Sequence, residues 1–292
     1  MTFREKYSKI KQLAQKELDI IEEKMVSEIN TKEPLNSYLK DFLTFPSKRI
    51  RPLLGILYTK AQGKKVTDKQ LQLLTAIELV HNASLVHDDI IDESKLRRGH
   101  KTLSAEFDNK LAVISGDYLL SCTMEILTGL NNIEIIKKIT STIKKMCLGE
   151  INQNFDRFKI GTIEDYIEKT KNKTAYLFET VLVCGEMLEN SEDLAKISEL
   201  GLDIGIAFQI RDDLLNLTSN DPQKPVNNDI EDGIYNAPVI FSQSTQDYSV
   251  GIEKTKDLLN NYVESAKEKL DCLPENTYKT ALLEFLELLN NV

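Results

Sequence analysis

Two groups of carboxylates stand more than a hundred residues apart in this chain, each at the end of an apolar stretch with helical periodicity. The first is Asp88, Asp89 and Asp92, in the string DDIID; the second is Asp212 and Asp213, followed by Asn216, in the string DDLLN. A spacing of four sets Asp88 above Asp92 on one helical face and Asp212 above Asn216 on another. Like charges that close repel and raise each other's pKa unless a cation neutralises them. A hard divalent ion such as Mg²⁺ takes oxygen ligands, commonly one or two carboxylates completed by water and phosphate oxygens. Two such helix ends facing one cavity could hold several Mg²⁺ ions around a diphosphate. With 46 acidic residues in 292, a single acidic string arises readily by chance on a solvated face. The weight lies in the pair, in the apolar approach to each, and in the basic residues that follow each.

Those basic residues gather where a second anion would sit. Lys48 and Arg51, within residues 47–52 (SKRIRP), open a helix, and a helix start carrying Lys and Arg is a ready phosphate site. Arg97 and Arg98 lie in a turn just after the first cluster. Lys173, Thr174 and Gln209 fall on later helices, and Lys224 lies in the segment after the second cluster. Each alone reads more readily as a surface cation than as a ligand. Together with the carboxylates they describe a polyanionic substrate held both through metal and directly. Neither glycine-rich phosphate motif, Rossmann or P-loop, occurs.

The elements that must position these groups are helices. Helical periodicity predicts helices over 3–29, 34–45, 48–62, 68–92, 109–129, 132–157, 163–189, 192–217, 247–271 and 275–290, and no stretch alternates convincingly as a strand. Pro34, Pro46, Gly63, Gly99, Gly161, Pro222, Pro225, Gly233 and Pro274 punctuate them. The stretch 109–129 is apolar around most of its circumference, which predicts a central position. Residues 219–236 form the longest irregular stretch, a loop beside the second cluster. The expectation is an all-α, single-domain bundle over residues 1–292 around a central cavity.

Composition narrows the class. The chain is 41% hydrophobic and 28% charged, which suits a sizeable core. A net charge of −9 argues against nucleic acid as a partner. Residues 1–28 read as a charged amphipathic helix and not as a signal peptide, and no apolar run approaches membrane-spanning length. The four cysteines show neither pairing nor CxxC spacing. A cytoplasmic enzyme is the expectation.

The chain resembles the trans-polyprenyl diphosphate synthases of the class I isoprenoid synthase fold. KRIRP, LVHDDIID, LRRG, SGDYLL, GEINQ, NKTAYLF, FQIRDDLLN, KPVNNDIEDG and AP carry the resemblance in order along nearly the whole chain. It implies Mg²⁺ as cofactor, isopentenyl diphosphate and allylic diphosphates as substrates, and a homodimer. It implies that Asp88 and Asp92, supported by Asp89, bind two Mg²⁺ ions on the allylic diphosphate, and that Asp212 binds a third with Asp213 helping through water. Arg97, Lys173 and Lys224 would hold the allylic diphosphate directly. Lys48, Arg51, His81 and Arg98 would hold that of isopentenyl diphosphate, and Thr174 and Gln209 would line the place where an allylic cation forms. His87 would support the site without touching substrate.

The resemblance places product length at the positions just before the first cluster. These are Ala83 and Ser84, both small, so a path down that helix is open and a hexaprenyl to octaprenyl product is expected. The alternative is that Ala83 packs in the core and Leu119, Leu120 or Met124 forms an early floor, giving a farnesyl or geranylgeranyl product. The chain also departs from the family pattern. Asn216 stands where Asp is usual, Ser47 where Gly is usual, Ile234 where a diphosphate-binding Lys is common and Asn236 where Thr is usual; the basic C-terminus of many relatives is absent. These changes leave open a weakly active subunit that partners a catalytic synthase. Transient membrane contact through a long product is a further expectation, with no anchor segment to provide it.

Overall fold

The computed structural model describes residues 3–189, 193–218 and 228–292, without the side chains of 228 and 229. Its helices are α1 (Phe3–Gln12), α2 (Gln15–Ser27), α3 (Leu35–Thr44), α4 (Ile50–Ala61), α5 (Asp68–Ile91), α6 (Leu103–Glu106), α7 (Asn109–Gly129), α8 (Ile133–Phe155) and α9 (Ile163–Thr170). After α9 come a π-helical turn (Lys171–Ala175), α10 (Tyr176–Leu188), α11 (Leu194–Thr218), α12 (Asn228–Glu231), α13 (Ala237–Ser242), α14 (Ser249–Leu270) and α15 (Thr277–Asn290). A two-residue hairpin, β1 (Leu96–Arg97) with β2 (His100–Lys101), turns the chain between α5 and α6.

The all-α class is as expected, and the helix starts follow capping chemistry. Thr67 accepts from the Gln70 amide while the Gln70 side chain accepts from the Thr67 amide, a reciprocal box that fixes the start of α5. Thr162 and Asp165 do the same for α9. Between these ends, α5 is buried on nearly every side, from Leu71 through Ala83 to Val86, so it is the axis of the fold. Helix α7 lies along α5, α10 along both α4 and α11, and α14 along α11. One apolar core runs through all of them, from Tyr7 and Ile10 to Leu288 and Leu289.

Four differences from the sequence reading have local causes. The expected helix 3–29 breaks at Leu13 and Ala14, whose amides bond to the carbonyls of Ile10 and Lys11 and tighten the turn between α1 and α2. The expected helix 163–189 carries the π-helical turn at its middle, where Lys173 and Thr174 lie. Helix α7 is not central: Ala112, Gly116 and Leu119 are buried, but Val113 and Ile114 are exposed. It is also the one helix among the described residues long and apolar enough to cross a membrane, although its buried face packs on α5 as a core helix does. Within the segment read as a loop, residues 228–231 form the short α12. Lys224 lies outside the described residues.

Candidate active site

The first acidic cluster ends α5. Asp88 is partly buried on the last turn and Asp92 caps the helix with its amide bonded to the Asp88 carbonyl at 2.8 Å. The C-terminal end of a helix carries a partial negative charge, so carboxylates there are doubly unfavourable. Burial pushes the Asp88 carboxyl up to about 6, with the Glu150 and Asp92 charges adding to it and Lys173 opposing. Asp92, exposed at the mouth of the site, moves in the same direction, desolvated by the cavity wall and pressed by Glu150 against the pull of Lys173. Asp89 behaves differently. It is 3% exposed and turned inward, where Arg97 grips it: Nε lies 2.8 and 2.9 Å from its two oxygens and a second guanidinium nitrogen lies 2.8 Å away. Asp89 and Arg97 thus tie the end of α5 to the hairpin.

The second cluster lies near the end of α11, and Asp213 is again the inward member. The Tyr166 hydroxyl donates to one of its oxygens at 2.7 Å and the Gln209 side-chain amide donates to the other at 2.8 Å. The Gln209 carbonyl in turn accepts from the Thr174 hydroxyl at 2.7 Å. This chain exists because α11 approaches the π-helical turn closely. A Cβ on Gly205 would lie 2.5 Å from the Ala175 Cα, and one on Gly201 2.5 Å from the Glu179 Cα. Asp212 is partly buried, and its charge acts on Arg51 and Arg211.

Both clusters open on one cavity of about 320 Å³, lined by Asp92 of the first and by Asp213 and Asn216 of the second, with Lys173, Thr174 and Gln209 between them. Lys173 pairs with Glu150 at 2.8 Å. Burial works to depress its ammonium, but Glu150, Asp88 and Asp92 outweigh that and hold it above the usual lysine value, so it stays charged. Among the described residues no three acidic, His or Cys side chains converge as a ready-made metal cage. The donor set still fits a hard divalent ion: oxygen ligands only, with two carboxylates on one helix face that repel until a cation arrives, and room for water and phosphate oxygens. Of the carboxylates in the two clusters, Asp88, Asp92 and Asp212 have no hydrogen-bonded side-chain partner among the described residues.

A second, cationic region lies beside it. Arg49, Arg51, Arg97 and Arg98 all act on His81, and with burial as the larger cause they hold its imidazole well below the usual histidine range, hence neutral. Arg49 takes a left-handed backbone conformation that turns its side chain inward to Glu78 at 3.1 Å, Glu22 at 3.0 Å and the Leu43 carbonyl. It is therefore structural, and it props the turn that presents Lys48 and Arg51. Arg51 lies 4.8 Å from the centre of the Phe178 ring, and burial with Glu78 and Asp212 nearby leaves its guanidinium at about 10, below the usual arginine value but still charged. Lys48 lies 5.6 Å from the Phe3 ring. Among the described residues neither Arg51 nor Arg98 forms an ion pair, and Arg51 Nε and Ser47 Oγ are buried without a hydrogen-bond partner. Buried donors left unsatisfied next to unpaired cations describe an anion site.

Ala83 is fully buried on α5, and Ser84 is partly buried with its hydroxyl donating to the His81 carbonyl at 2.9 Å. His87 turns from the cavity toward α7, 3.2 Å from the Val113 carbonyl and 3.6 Å from Asp117, over Gly116. Sequence reasoning missed Glu150, Tyr166 and the inward turn of Arg49. Glu150 lies inside the quoted GEINQ string, and its register against the first cluster was the available signal. Tyr166 carried none beyond an apolar position on α9.

The model of the polyprenyl synthetase family matches residues 32–279. A prenyl transferase of Cyanidium caldarium is 32% identical, over 97% of this chain and 98% of its own. Component 2 of the heptaprenyl diphosphate synthase of Bacillus subtilis is 31% identical, over 92% of this chain and 77% of its own. Among solved structures, the heptaprenyl diphosphate synthase of Staphylococcus aureus superposes with a TM-score of 0.88 at 27% identity, over 95% of this chain and 98% of that one. With the helical fold, the paired carboxylate clusters and these matches together, the chain belongs to the polyprenyl synthetase family and is a prenyltransferase.

Proposed function

We propose that this chain elongates an allylic diphosphate with isopentenyl diphosphate, using Mg²⁺, to an all-trans polyprenyl diphosphate in the hexaprenyl to octaprenyl range. The observation that carries the reading is the single cavity onto which both acidic clusters open, beside a cationic region in which Arg51 and Arg98 form no ion pair among the described residues. Asp88, Asp92 and Asp212 would hold Mg²⁺, which when bound supplies charge neutralisation for a departing diphosphate. Lys173 adds a fixed positive charge at the same place. Lys48, Arg51 and Arg98 orient the diphosphate of isopentenyl diphosphate, and neutral His81 can donate one N–H to it. The allylic C–O bond breaks with its electron pair leaving on the diphosphate. The double bond of isopentenyl diphosphate attacks the allylic carbon, and a proton is lost to the departing diphosphate. The Thr174 hydroxyl donates to Gln209, so its oxygen lone pairs remain to face the positive carbon. Asp89 and Asp213 serve by position: one fixes Arg97 and the hairpin, the other the Tyr166–Gln209–Thr174 chain. Lys224 joins the allylic site in this reading.

Small Ala83 and Ser84 favour a long product, and the names of the Bacillus and Staphylococcus relatives agree with that direction. We take the working form as a cytoplasmic homodimer; the exposed apolar face of α7, with Val113 and Ile114, supports a partner there. One observation favours a second reading, a subunit that needs a different partner: the Bacillus relative is named as one component of its synthase, and Asn216 and Ile234 weaken the allylic side here. Two-substrate kinetics test the assignment. R51Q should raise the KM for isopentenyl diphosphate and leave that of the allylic substrate, whereas D92N should steepen the Mg²⁺ requirement. The same effect of both variants on both substrates would break the two-site assignment.

A further inference from the structure

Arg211 is absorbed by none of the roles above. It precedes Asp212 on α11 and is 5% exposed, and a guanidinium so buried is ordinarily paired. Among the described residues Arg211 has no ion pair, and its Nε is buried without a hydrogen-bond partner. The Phe3 ring lies over it, with its centre 4.3 Å from Cζ. A ring on the face of a guanidinium leaves the N–H groups, all in its plane, to bond at the edge. Phe3 also places Arg211 in the fold. The same ring lies 5.6 Å from Lys48 Nζ and stacks on Tyr7 with centres 6.0 Å apart, and the Tyr7 hydroxyl donates to the Lys48 carbonyl at 2.7 Å. Lys11, one turn further along α1, donates to the Ser47 carbonyl at 3.1 Å. Helix α1 therefore joins Arg211 to the turn that presents Lys48 and Arg51, and the Asp212 charge reaches both Arg51 and Arg211. Ser47 Oγ, Arg51 Nε and Arg211 Nε are three buried donors without partners, delivered to this region from a loop, from α4 and from α11. An anion with several oxygens is the group that satisfies such a set.

We propose that Arg211 is a further diphosphate-binding residue of the isopentenyl diphosphate site, its edge donating to phosphate oxygens from α11 while Phe3 holds its face. Adjacent residues of α11 then serve the two substrates, Asp212 the allylic one through Mg²⁺ and Arg211 the other directly. The inference rests on the reading of the cationic region as the isopentenyl diphosphate site.

The test is calorimetric titration of the purified chain with isopentenyl diphosphate in EDTA, where only direct contacts hold it, followed by two-substrate kinetics with Mg²⁺. R211Q should bind isopentenyl diphosphate about tenfold more weakly or worse, the ratio expected for one charge-assisted contact. R211K keeps the charge but loses the planar two-pronged edge, so it should also bind more weakly than the parent, and it serves if R211Q does not fold. Both should raise the KM of isopentenyl diphosphate and leave the KM of the allylic diphosphate and the Mg²⁺ requirement as they were. Unchanged affinity in either variant overturns the inference and leaves the site reading intact. A changed Mg²⁺ requirement with the KM of isopentenyl diphosphate unmoved also overturns it, assigning Arg211 to balancing the Asp212 charge. Equal loss for both substrates overturns it as well, assigning Arg211 to holding α1 against α11. Failure of the unmodified chain to bind isopentenyl diphosphate overturns both the inference and the site reading on which it rests.

Discussion

Replacing Asp88 by Asn should make the metal-free protein more stable and its catalysis far weaker. Asp88 is held in the folded chain at about 6 against an ordinary 3.8, chiefly by burial and then by Glu150 and Asp92 against the pull of Lys173. Two units correspond to about 3 kcal/mol of cost for the ionised form at neutral pH. The group is only partly buried, and a neutral amide must find its own partners, so about 1–2 kcal/mol should be recovered by D88N. For a chain of this size that is a rise in Tm of about 2–6 °C. The sign fixes the pH window. A carboxyl whose folded pKa is raised gives its full contribution below 3.8 and loses it as pH rises through about 6. The gain from D88N should therefore be complete at pH 7.5 and shrink toward zero near pH 4. The assay is thermal unfolding in EDTA at several pH values, repeated with Mg²⁺ and diphosphate, where the unmodified chain should gain stability and D88N much less. A D88N protein no more stable than its parent at pH 7.5 without metal, or a gain independent of pH, would refute the electrostatic argument.

Tyr166→Phe removes one of the two bonds that hold buried Asp213 and should cost about 1–3 kcal/mol, read by denaturant unfolding, with a fall in kcat larger than any change in KM. Gly205→Val drives a branched side chain into the Ala175 backbone and should cost about 1–3 kcal/mol or more, with loss of activity as Thr174 and Gln209 separate. Glu150→Gln leaves Lys173 without its ion-pair partner and removes one of the charges pressing on Asp88; titration of Asp88 by NMR in the metal-free protein should give a lower pKa than in the parent. Ala83→Phe should shorten the product, read by chromatography of the dephosphorylated alcohols, if the path runs down α5.

The helices were legible because their apolar spacing, caps and breakers all agree, and α5 and α11 were found nearly to the residue. The π-helical turn and the break at Leu13 were not, since neither alters the apolar pattern enough to stand out. Helix α7 misled for a physical reason: an apolar face reads the same whether a core or another surface covers it, and only its packing on α5 showed which side is buried. At the site, residue types and spacing gave the carboxylates and the cations but not their division of labour. Within DDIID and DDLLN the second Asp turns inward, toward Arg97 in one case and Tyr166 in the other, because of what lies behind each helix. Those partners come from other parts of the chain, and no local pattern announces them. Arg49 shows the same limit: between Lys48 and Arg51 in sequence, it is turned away from them by one left-handed residue.

The most direct measurement is a product assay on the purified chain alone, with Mg²⁺, farnesyl diphosphate and labelled isopentenyl diphosphate, resolving the dephosphorylated alcohols by length. The expected result is a ladder that extends beyond geranylgeraniol and vanishes with EDTA. No elongation from any allylic primer would contradict autonomous catalysis and move the assignment to a partner-dependent subunit, with Asn216 and Ile234 the first positions to change.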